Sequence, residues 1–275
     1  MTSSINTNIG AMVALQNLNA ITADLMTTQN RISTGLKVAS AKDDGATYAI
    51  AQSQRAKVSS LDAVKESLSR TSSAVDVAMS AGESISDLLT QLKEKALAAS
   101  DTSLDTTSRN ALQSDFNAIR DQITKTASNA SFNGINLING SRTSIAALAD
   151  ASGTSHMTVA AQNLSLGGSI ITLGAAASFS TATSAQALLT TIDSSINNVS
   201  SALSSMGSTS KALDTHATFI GKLQDTLTAS IGHLVDADMA TESAKLQALQ
   251  TKQQLAIQSL SIANQSQSFL LSLFK

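Results

Sequence analysis

The residue types that most often carry chemistry are sparse in this chain and poorly spaced for it. The three histidines, His156, His216 and His233, are far apart in the sequence, and no two of them are three or four residues apart. The chain has no cysteine, so neither a thiolate metal site nor a disulfide can form. A structural or catalytic metal site needs several such ligands held together, and the sequence therefore predicts no metal centre.

Motifs for nucleophilic attack and for phosphate binding are also missing. Serine is abundant, but no serine lies in a G-x-S-x-G turn, and Gly221-Lys222 lacks the upstream glycine of a phosphate loop. Asp236 and Asp238 could attract a cation, but Ca²⁺ needs about 6–8 oxygen ligands, and a helix-start or hinge role is favoured. We therefore expect no catalytic residue and no cofactor, and a chain that is not an enzyme.

The overall composition excludes further classes of function. The formal net charge is −2 and aromatic residues make up 3% of the chain, so it has neither the basic field nor the stacking rings of a nucleic-acid-binding protein. The first 23 residues carry no charged side chain. Because a cleaved secretory signal begins with a positively charged segment, we expect any export to use another route.

Two long runs of small and apolar residues, at alternating steps of three and four, dominate the sequence. Such steps predict helices that pack lengthwise on other helices. We expect the first helix to begin near Asp43 or Asp44, where a carboxylate can cap it. A shorter segment predicts a third helix that ends near Asn129. The expected fold is mainly α, with a long antiparallel helical bundle or coiled coil forming a rod. The first run is Leu61, Val64, Leu68, Thr71, Val75, Ala78, Gly82, Ile85, Leu89, Leu92, Ala96 and Ala99. The second run is Leu189, Ile192, Ile196, Val199, Leu203, Met206, Ser210, Leu213, Ala217, Ile220, Gln224, Leu227, Ile231 and Leu234. The shorter segment is Leu112, Phe116, Ile119 and Ile123.

The middle of the chain has a different character. Residues 131–141 read SFNGINLINGS, and their two Asn-Gly pairs between short apolar runs are typical of hairpin turns. Residues 156–176 combine β-branched residues with a Gly-Gly pair. We therefore expect a small β-hairpin and loop module, mostly at the surface of the rod.

Both ends of the chain are amphipathic and nearly free of charge. Residues 253–274, QQLAIQSLSIANQSQSFLLSLF, contain no charged side chain. Their helical frame does not continue that of the second long run, because the frame slips across Asp236 and Asp238; the segment 33–45 interrupts the N-terminal side. We therefore predict that the two ends pair as a two-helix coiled coil and form an inner-core assembly interface. The predicted interface residues are Ile5, Ile9, Met12, Leu18, Ile21, Leu25, Ile32, Leu246, Leu249, Ala256, Leu260, Ala263, Leu270, Leu273 and Phe274.

These patterns predict three structural parts. The terminal coiled coil takes residues 1–42 and 236–275. The helical rod takes residues 43–142 and 182–235, and the small module takes residues 143–181.

Four motifs resemble the bacterial flagellins, the subunits of the flagellar filament. They are SINTNIGAMVALQNL at the start, RISTGLKVASAKDDGATYAIA after it, SFNGINLING in the middle, and LVDADMATESAKLQ leading to LSLFK at the end. Their order and positions agree with the family, and only residues from about 143 to 181 contain no matching motif. The chain therefore looks like a short alphaproteobacterial flagellin without large outer domains.

The resemblance implies a function, a location and a set of partners. Flagellins are secreted unfolded through the flagellar type III export apparatus and polymerise outside the cell, so the expected product is a homopolymer that acts in swimming motility. The implied partners are the export apparatus, an export chaperone, the filament cap and hook-associated proteins. Many members carry O-linked sugars on exposed outer residues, and Ser178, Thr181 or Thr183 would be candidate sites.

The resemblance also points to a patch that an innate immune receptor reads in many flagellins. That patch is built around an arginine, a leucine four residues later and a downstream acidic residue. In this chain Gln91 stands at the arginine position, Lys95 at the leucine position and Asp115 at the acidic position. Because a bidentate donor and an apolar anchor are both replaced, we expect weak or no stimulation of the receptor.

Two other functions remain as alternatives at this point. A low-copy junction protein between hook and filament would share most of these features. A membrane-active helical protein would have to insert its uncharged ends into lipid. However, the many Gln and Asn side chains of residues 253–274 are costly in hydrocarbon, and the Lys/Arg-rich face of an interfacial helix is missing. We expect no membrane insertion.

Overall fold

Five helices and two small strand pairs make up the part of the chain that is described. The computed structural model covers residues 7–272, with side chains described through residue 265. The helices are α1 (Ile9–Thr34), α2 (Gly45–Ala99), α3 (Thr106–Asn129), α4 (Ala182–Val235) and α5 (Met239–Ser272). The strands are β1 (Ser131–Phe132), β2 (Ile135–Asn136), β3 (Ser144–Leu148) and β4 (His156–Ala160). The predicted mainly α class with a small β module is therefore confirmed.

The chain forms two compact units. The terminal unit contains residues up to 56 and residues from 226 onward, and the central unit contains residues 57–225. Both divisions fall inside helices, since α2 and α4 each run through a boundary.

Polar caps and one glycine set the helix ends in the terminal unit. The Oδ1 atom of Asn8 accepts a hydrogen bond from the backbone N–H of Ala11 at 2.9 Å, which starts α1. α1 ends at Gly35, which has a φ of 71°, a conformation that glycine takes without strain. Asp44 Oδ1 accepts from the N–H groups of Ala46 and Thr47 and starts α2, as predicted.

The two segments between helices are joined to each other by backbone hydrogen bonds. Leu36 and Asp236 form an isolated antiparallel bridge. The N–H of Lys37 donates to the carbonyl of Val235 at 2.8 Å, and the N–H of Ala237 donates to the carbonyl of Gly35 at 2.8 Å. The two predicted helix breaks are therefore present, and they are hydrogen-bonded to each other. We call these two segments, residues 35–38 and 235–238, the joint.

The central unit is built around antiparallel helices. In α2 and α4, Gln224 Nε2 donates to the carbonyl of Val58, while Lys93 Nζ lies 2.6 Å from Asp193 Oδ1, so the two helices run in opposite directions. Every member of the predicted run from Leu61 to Ala99 is buried. In α4 the predicted positions are either buried or half-buried. The heptad spacing therefore identified the packing face of both long helices.

The β strands form two antiparallel hairpins. β1 and β2 are joined by Asn133 and Gly134, whose φ angles of 48° and 74° are those of a two-residue hairpin turn with both residues left-handed. β3 pairs with β4 from Ser144 opposite Ala160 to Leu148 opposite His156.

Hydrogen bonds from two helices hold the second hairpin on the bundle. Ser67 Oγ accepts from the N–H of Leu148 at 3.1 Å. The His216 Nε2 atom lies 2.8 Å from the carbonyl oxygen of Ala149. The hairpin is therefore attached to both α2 and α4.

The segment around the strands is more deeply packed than expected. Rather than lying mostly at the surface, it contributes apolar side chains that are almost fully buried: Leu137, Ile138, Ala147, Val159, Leu164, Ile171, Leu173 and Phe179. Phe179 contacts Phe116 of α3 edge to face, with ring centroids 5.2 Å apart and an interplanar angle of 72°. The helices are poor in aromatic residues, and this segment fills space that their small side chains leave open.

Candidate assembly surface of the terminal helices

The helices α1 and α5 pack along a shared heptad frame. In α1 the inward residues follow one another at alternating steps of three and four, and in α5 they do the same. This is the spacing of a two-helix coiled coil. The inward residues of α1 are Ala11, Ala14, Leu18, Ile21, Leu25, Thr28 and Ile32. Those of α5 are Glu242, Leu246, Leu249, Gln253, Ala256, Leu260 and Ala263.

Two contacts show that the pair is antiparallel. At one end the Nδ2 atom of Asn8 donates to the carbonyl of Ala263 at 2.9 Å. At the other end Arg31 Nη1 lies 3.0 Å from Glu242 Oε1. The start of α1 therefore lies beside the later part of α5, as the pairing of the two chain ends predicts.

Most predicted interface residues lie on this inward frame. Leu25 and Leu249 are buried, and seven others are half-buried: Leu18, Ile21, Ile32, Leu246, Ala256, Leu260 and Ala263. Ile9 and Met12 differ, because they are 63% and 62% exposed and point away from α5. Ile5, Leu273 and Phe274 lie outside the described residues, as does the side chain of Leu270.

Sequence reasoning missed the small and polar members of the frame. Ala14 and Thr28 are buried in α1, and Glu242 is buried in α5. The signal was present in the sequence, because these residues complete the alternation of three and four. Selecting only large apolar residues in α1 and no polar residues in either helix hid it, and the selection also brought in Ile9 and Met12, which lie off the frame.

A partly buried ion pair between Arg31 and Glu242 crosses the coiled coil near the joint. The Glu242 side chain is 10% exposed and the Arg31 side chain is 32% exposed. The second carboxylate oxygen, Oε2, and the hydroxyl of Thr28 are buried without a hydrogen-bond partner. The pair therefore orients α1 and α5 at this level, and loss of either partner would leave the other charge poorly compensated.

A capping carboxylate fixes the start of α5 on the other side of the joint. The hydroxyl of Thr241 donates to Asp238 at 2.6 Å, and the N–H groups of Thr241 and Ala240 point to the same carboxylate. These hydrogen bonds, the Thr241 hydroxyl first, hold the pKa of Asp238 below its usual value of 3.8. Asp238 therefore lies at a helix start, which is the role that the sequence favoured. Its carboxylate already accepts hydrogen bonds from the first turn of α5.

The outward side of the pair carries exposed apolar side chains. On α1 these are Ile9, Met12, Val13, Leu15 and Met26, and on α5 they are Leu255, Ile257 and Ile262. Charged residues are nearly absent among them: from Gly10 to Thr34 only Asp24 and Arg31 are charged, and no charged residue follows Lys252 until Lys275. This surface is therefore both apolar and almost uncharged, which is typical of a surface that another protein covers.

The receptor-patch positions lie in the central unit. Gln91 is exposed on α2. One turn later, the Nζ atom of Lys95 lies 2.7 Å from the Oδ2 atom of Asp115 on α3. The acidic position is thus paired within the subunit with a cation that occupies the leucine position.

Two other kinds of functional feature, a metal-binding cluster and a membrane-spanning helix, were sought among the described residues. Between residues 7 and 272, no group of three or more His, Asp or Glu side chains is arranged to hold a metal ion. A search of the same part of the chain finds no helix with the length and apolar character required to cross a bilayer.

Comparisons with known proteins give a consistent result. The family model for the bacterial flagellin N-terminal helical region matches residues 5–143, and that for the C-terminal helical region matches residues 189–274. Flagellin FljM and flagellin FljK of Caulobacter vibrioides are each 56% identical to this chain over 273 residues. These residues cover 99% of this chain and 99% of each of the two relatives. A putative flagellar hook-associated protein from Vibrio parahaemolyticus shares the fold, with a TM-score of 0.60 at 14% identity over 70% of this chain and 100% of its own. The chain belongs to the bacterial flagellin family.

Proposed function

We propose that this chain is a structural subunit that polymerises outside the cell into the bacterial flagellar filament, the propeller of swimming motility. The observation that carries the proposal is the exposed, nearly uncharged apolar side of the α1–α5 pair. Flagellins are a structural protein family, and we assign no enzymatic activity to this chain.

The charge distribution suits a surface that repeats along a polymer. In a helical assembly each charged side chain recurs at every subunit, so charges near the filament axis would form closely spaced rows of like sign. The outward side of α5 beyond Lys252 avoids this with Gln, Ser and Asn between its apolar residues. Such amides and hydroxyls can hydrogen-bond between subunits without adding charge.

Burial of the exposed apolar side chains would favour assembly. Burying one Leu, Ile or Met side chain contributes about 1.5–3 kcal/mol. Several such side chains are exposed on one pair of helices, and their burial against neighbours offsets the loss of free motion on association. We propose that the predicted interface residues act in two ways: those on the inward frame hold the pair together, while Ile9 and Met12 contact neighbouring subunits.

We further propose that the chain divides functionally as the sequence patterns indicate. Residues 1–42 and 236–275 would form the inner core of the filament, residues 43–142 and 182–235 the surrounding layer, and residues 143–181 a small module of that layer. Export apparatus, chaperone, filament cap and hook-associated proteins are the further partners that we propose for it. Ser178, Thr181 and Thr183 are exposed, which supports their candidacy as O-glycosylation sites.

A substitution on the outward side of α5 tests the proposed contact. Ile262 is 67% exposed, so Ile262→Gln is expected to leave the monomer's helix content unchanged but to raise the critical concentration for assembly by at least about tenfold. Salt-induced polymerisation followed by sedimentation measures that concentration. Ser261→Gln, at the exposed neighbouring position, is the matched control and should assemble normally. If the Ile262→Gln chain polymerised at the same critical concentration as the wild type, this side of α5 would not be part of the interface.

The receptor patch gives a second expected outcome. We expect the purified wild-type chain to stimulate the innate receptor weakly or not at all in a reporter-cell assay. The Lys95–Asp115 ion pair supports this, because it occupies the acidic group within the subunit. The double substitution Gln91→Arg with Lys95→Leu should raise the response by tenfold or more, about the effect of one hot-spot contact. Lys125→Leu on α3 is a control for the loss of a surface cation. A strong wild-type response would contradict the assignment.

The alternative of a low-copy junction protein between hook and filament is not favoured, because the relatives that match the whole chain are named flagellins. The number of copies in each organelle separates the two. A filament subunit is present in thousands of copies and a junction protein in few.

A further inference from the structure

We propose that Met12 and Met26 are oxidation sites through which a peroxide blocks assembly of this chain. The inference rests on the proposed filament function, because it concerns the surface through which subunits would meet.

The two methionines occupy equivalent outward positions on α1. Each follows an inward residue of the coiled-coil frame by one position, Ala11 and Leu25 respectively, and the two are 14 residues, or two heptads, apart. They are 62% and 60% exposed. More than half of each side chain is therefore open to solvent in the subunit.

The other described methionines are placed differently. In the central unit, Met206 is 2% exposed, and Met79 and Met157 are half-buried. Met239 is 44% exposed, but it is the first residue of α5 beside the joint and lies outside the outward row of α1. Accessible thioethers are thus concentrated in the terminal unit, and two of them share one row on the candidate assembly surface.

The chemistry needs only hydrogen peroxide. A lone pair of the methionine sulfur attacks one peroxide oxygen, the O–O bond breaks, and the products are one methionine sulfoxide and one water. The sulfur is oxidised by two electrons and the peroxide is reduced by two. Methionine sulfoxide reductases reverse the change.

The product differs from methionine in the property that matters at an apolar contact. The sulfoxide is polar and carries a strong hydrogen-bond acceptor, so its burial against a neighbouring subunit leaves that acceptor unpaired. We expect each sulfoxide to raise the critical concentration for assembly about tenfold. In an existing polymer the same sulfurs would be covered, so oxidation should act on subunits before they assemble.

The test compares treated and untreated samples of the full chain. Monomer is treated with hydrogen peroxide, the peroxide is removed with catalase, and the critical concentration is measured by sedimentation after salt-induced polymerisation. Peptide mapping by mass spectrometry gives the oxidised fraction at each methionine. The wild-type chain should show oxidation of Met12 and Met26 well ahead of Met206, with a critical concentration raised tenfold or more. Preformed polymer should be protected at Met12 and Met26.

Variants assign the effect to the two residues. Each protein is compared with its own untreated sample, so any change in basal assembly cancels. The double variant Met12→Leu with Met26→Leu should lose sensitivity to peroxide, while Met239→Leu should stay as sensitive as the wild type. Methionine sulfoxide reductase should restore assembly of treated wild-type chain, and if the double variant does not polymerise, the oxidised fraction at each methionine together with the Met239→Leu chain makes the assignment.

The outcomes separate this inference from the proposed function. If untreated wild-type chain fails to polymerise, the filament function is wrong and the inference falls with it. If untreated chain polymerises, and treated chain with Met12 and Met26 oxidised polymerises equally well, only the inference is overturned. Failure of the reductase to restore assembly would also overturn it.

Discussion

A chain that ends at Gln253 is expected to form no filaments, while its central unit stays folded. The truncation removes Ala256, Leu260 and Ala263 from the inward frame of the coiled coil, and with them Leu255, Ile257 and Ile262 from the outward side. It leaves the ion pair between Arg31 and Glu242 in place.

The expected size of this effect follows from the lost burial. Three outward apolar side chains contribute about 1.5–3 kcal/mol each when covered. Their loss alone amounts to at least about 4 kcal/mol, or roughly a thousandfold rise in the critical concentration. Loss of the inward residues adds to this, because α1 would then lack its partner over half its length.

Two measurements distinguish lost assembly from lost folding. Sedimentation after salt addition measures polymer, and urea unfolding followed by circular dichroism measures the central unit, which lies within residues 57–225 and should unfold as in the full chain. In a second variant, a flexible Gly/Ser segment of equal length replaces residues 254–275. This variant shows whether assembly depends on the sequence of the segment or only on its length. Normal filaments from either chain would show that the end of α5 is not needed for assembly.

The largest effect of a single substitution is expected at Phe116, whose ring is fully buried in the central unit against Phe179. Phe116→Ala should lower the free energy of unfolding by about 3–5 kcal/mol, through lost burial and the cavity left behind. Urea unfolding of the monomer should show a lower midpoint with an unchanged slope.

The chain offers a matched control for this substitution. Phe219 lies on α4 and is 55% exposed, so Phe219→Ala should cost less than about 1 kcal/mol. A double-mutant cycle with Phe179→Ala should give a coupling of about 0.5–1.5 kcal/mol for the edge-to-face contact. Equal effects at Phe116 and Phe219 would contradict the packing described for the central unit.

The sequence was most informative where burial is periodic. In α2 the steps of three and four pass through Thr71 and Gly82, which are less apolar than the other members of the run, yet both are buried. A Cβ at Gly82 would lie 2.8 Å from Cδ2 of Leu203, so the Leu203 side chain would have to shift to admit any larger residue there. A helix that packs along its whole length buries one face, so apolar and small residues recur on that face at regular spacing. This spacing can be recognised in a single sequence.

Where burial is not periodic, the sequence was a poor guide. The segment containing Leu164, Ile171, Leu173 and Phe179 has no helical or strand spacing, and its packing depends on which cavities the helices leave between them. The Lys95–Asp115 contact likewise depends on how α3 lies against α2. Such contacts are set by tertiary structure, which local spacing does not encode.

The terminal pair shows a third case. Pairing of the two ends was predicted from their shared lack of charge and from the frame slip at Asp236 and Asp238, where α4 ends and α5 begins. The inward and outward sides were not separated, because the exposed outward side carries apolar residues too. Ile9 and Met12 therefore looked like members of the same stripe as Leu18 and Leu25.

Electron microscopy of the purified full chain after salt-induced reassembly tests the central claim most directly. We expect long helical filaments with a central channel, in which the paired helices α1 and α5 line the channel and their outward apolar side chains contact neighbouring subunits. A chain that stays monomeric under these conditions, or filaments with α1 and α5 on the outer surface, would contradict it.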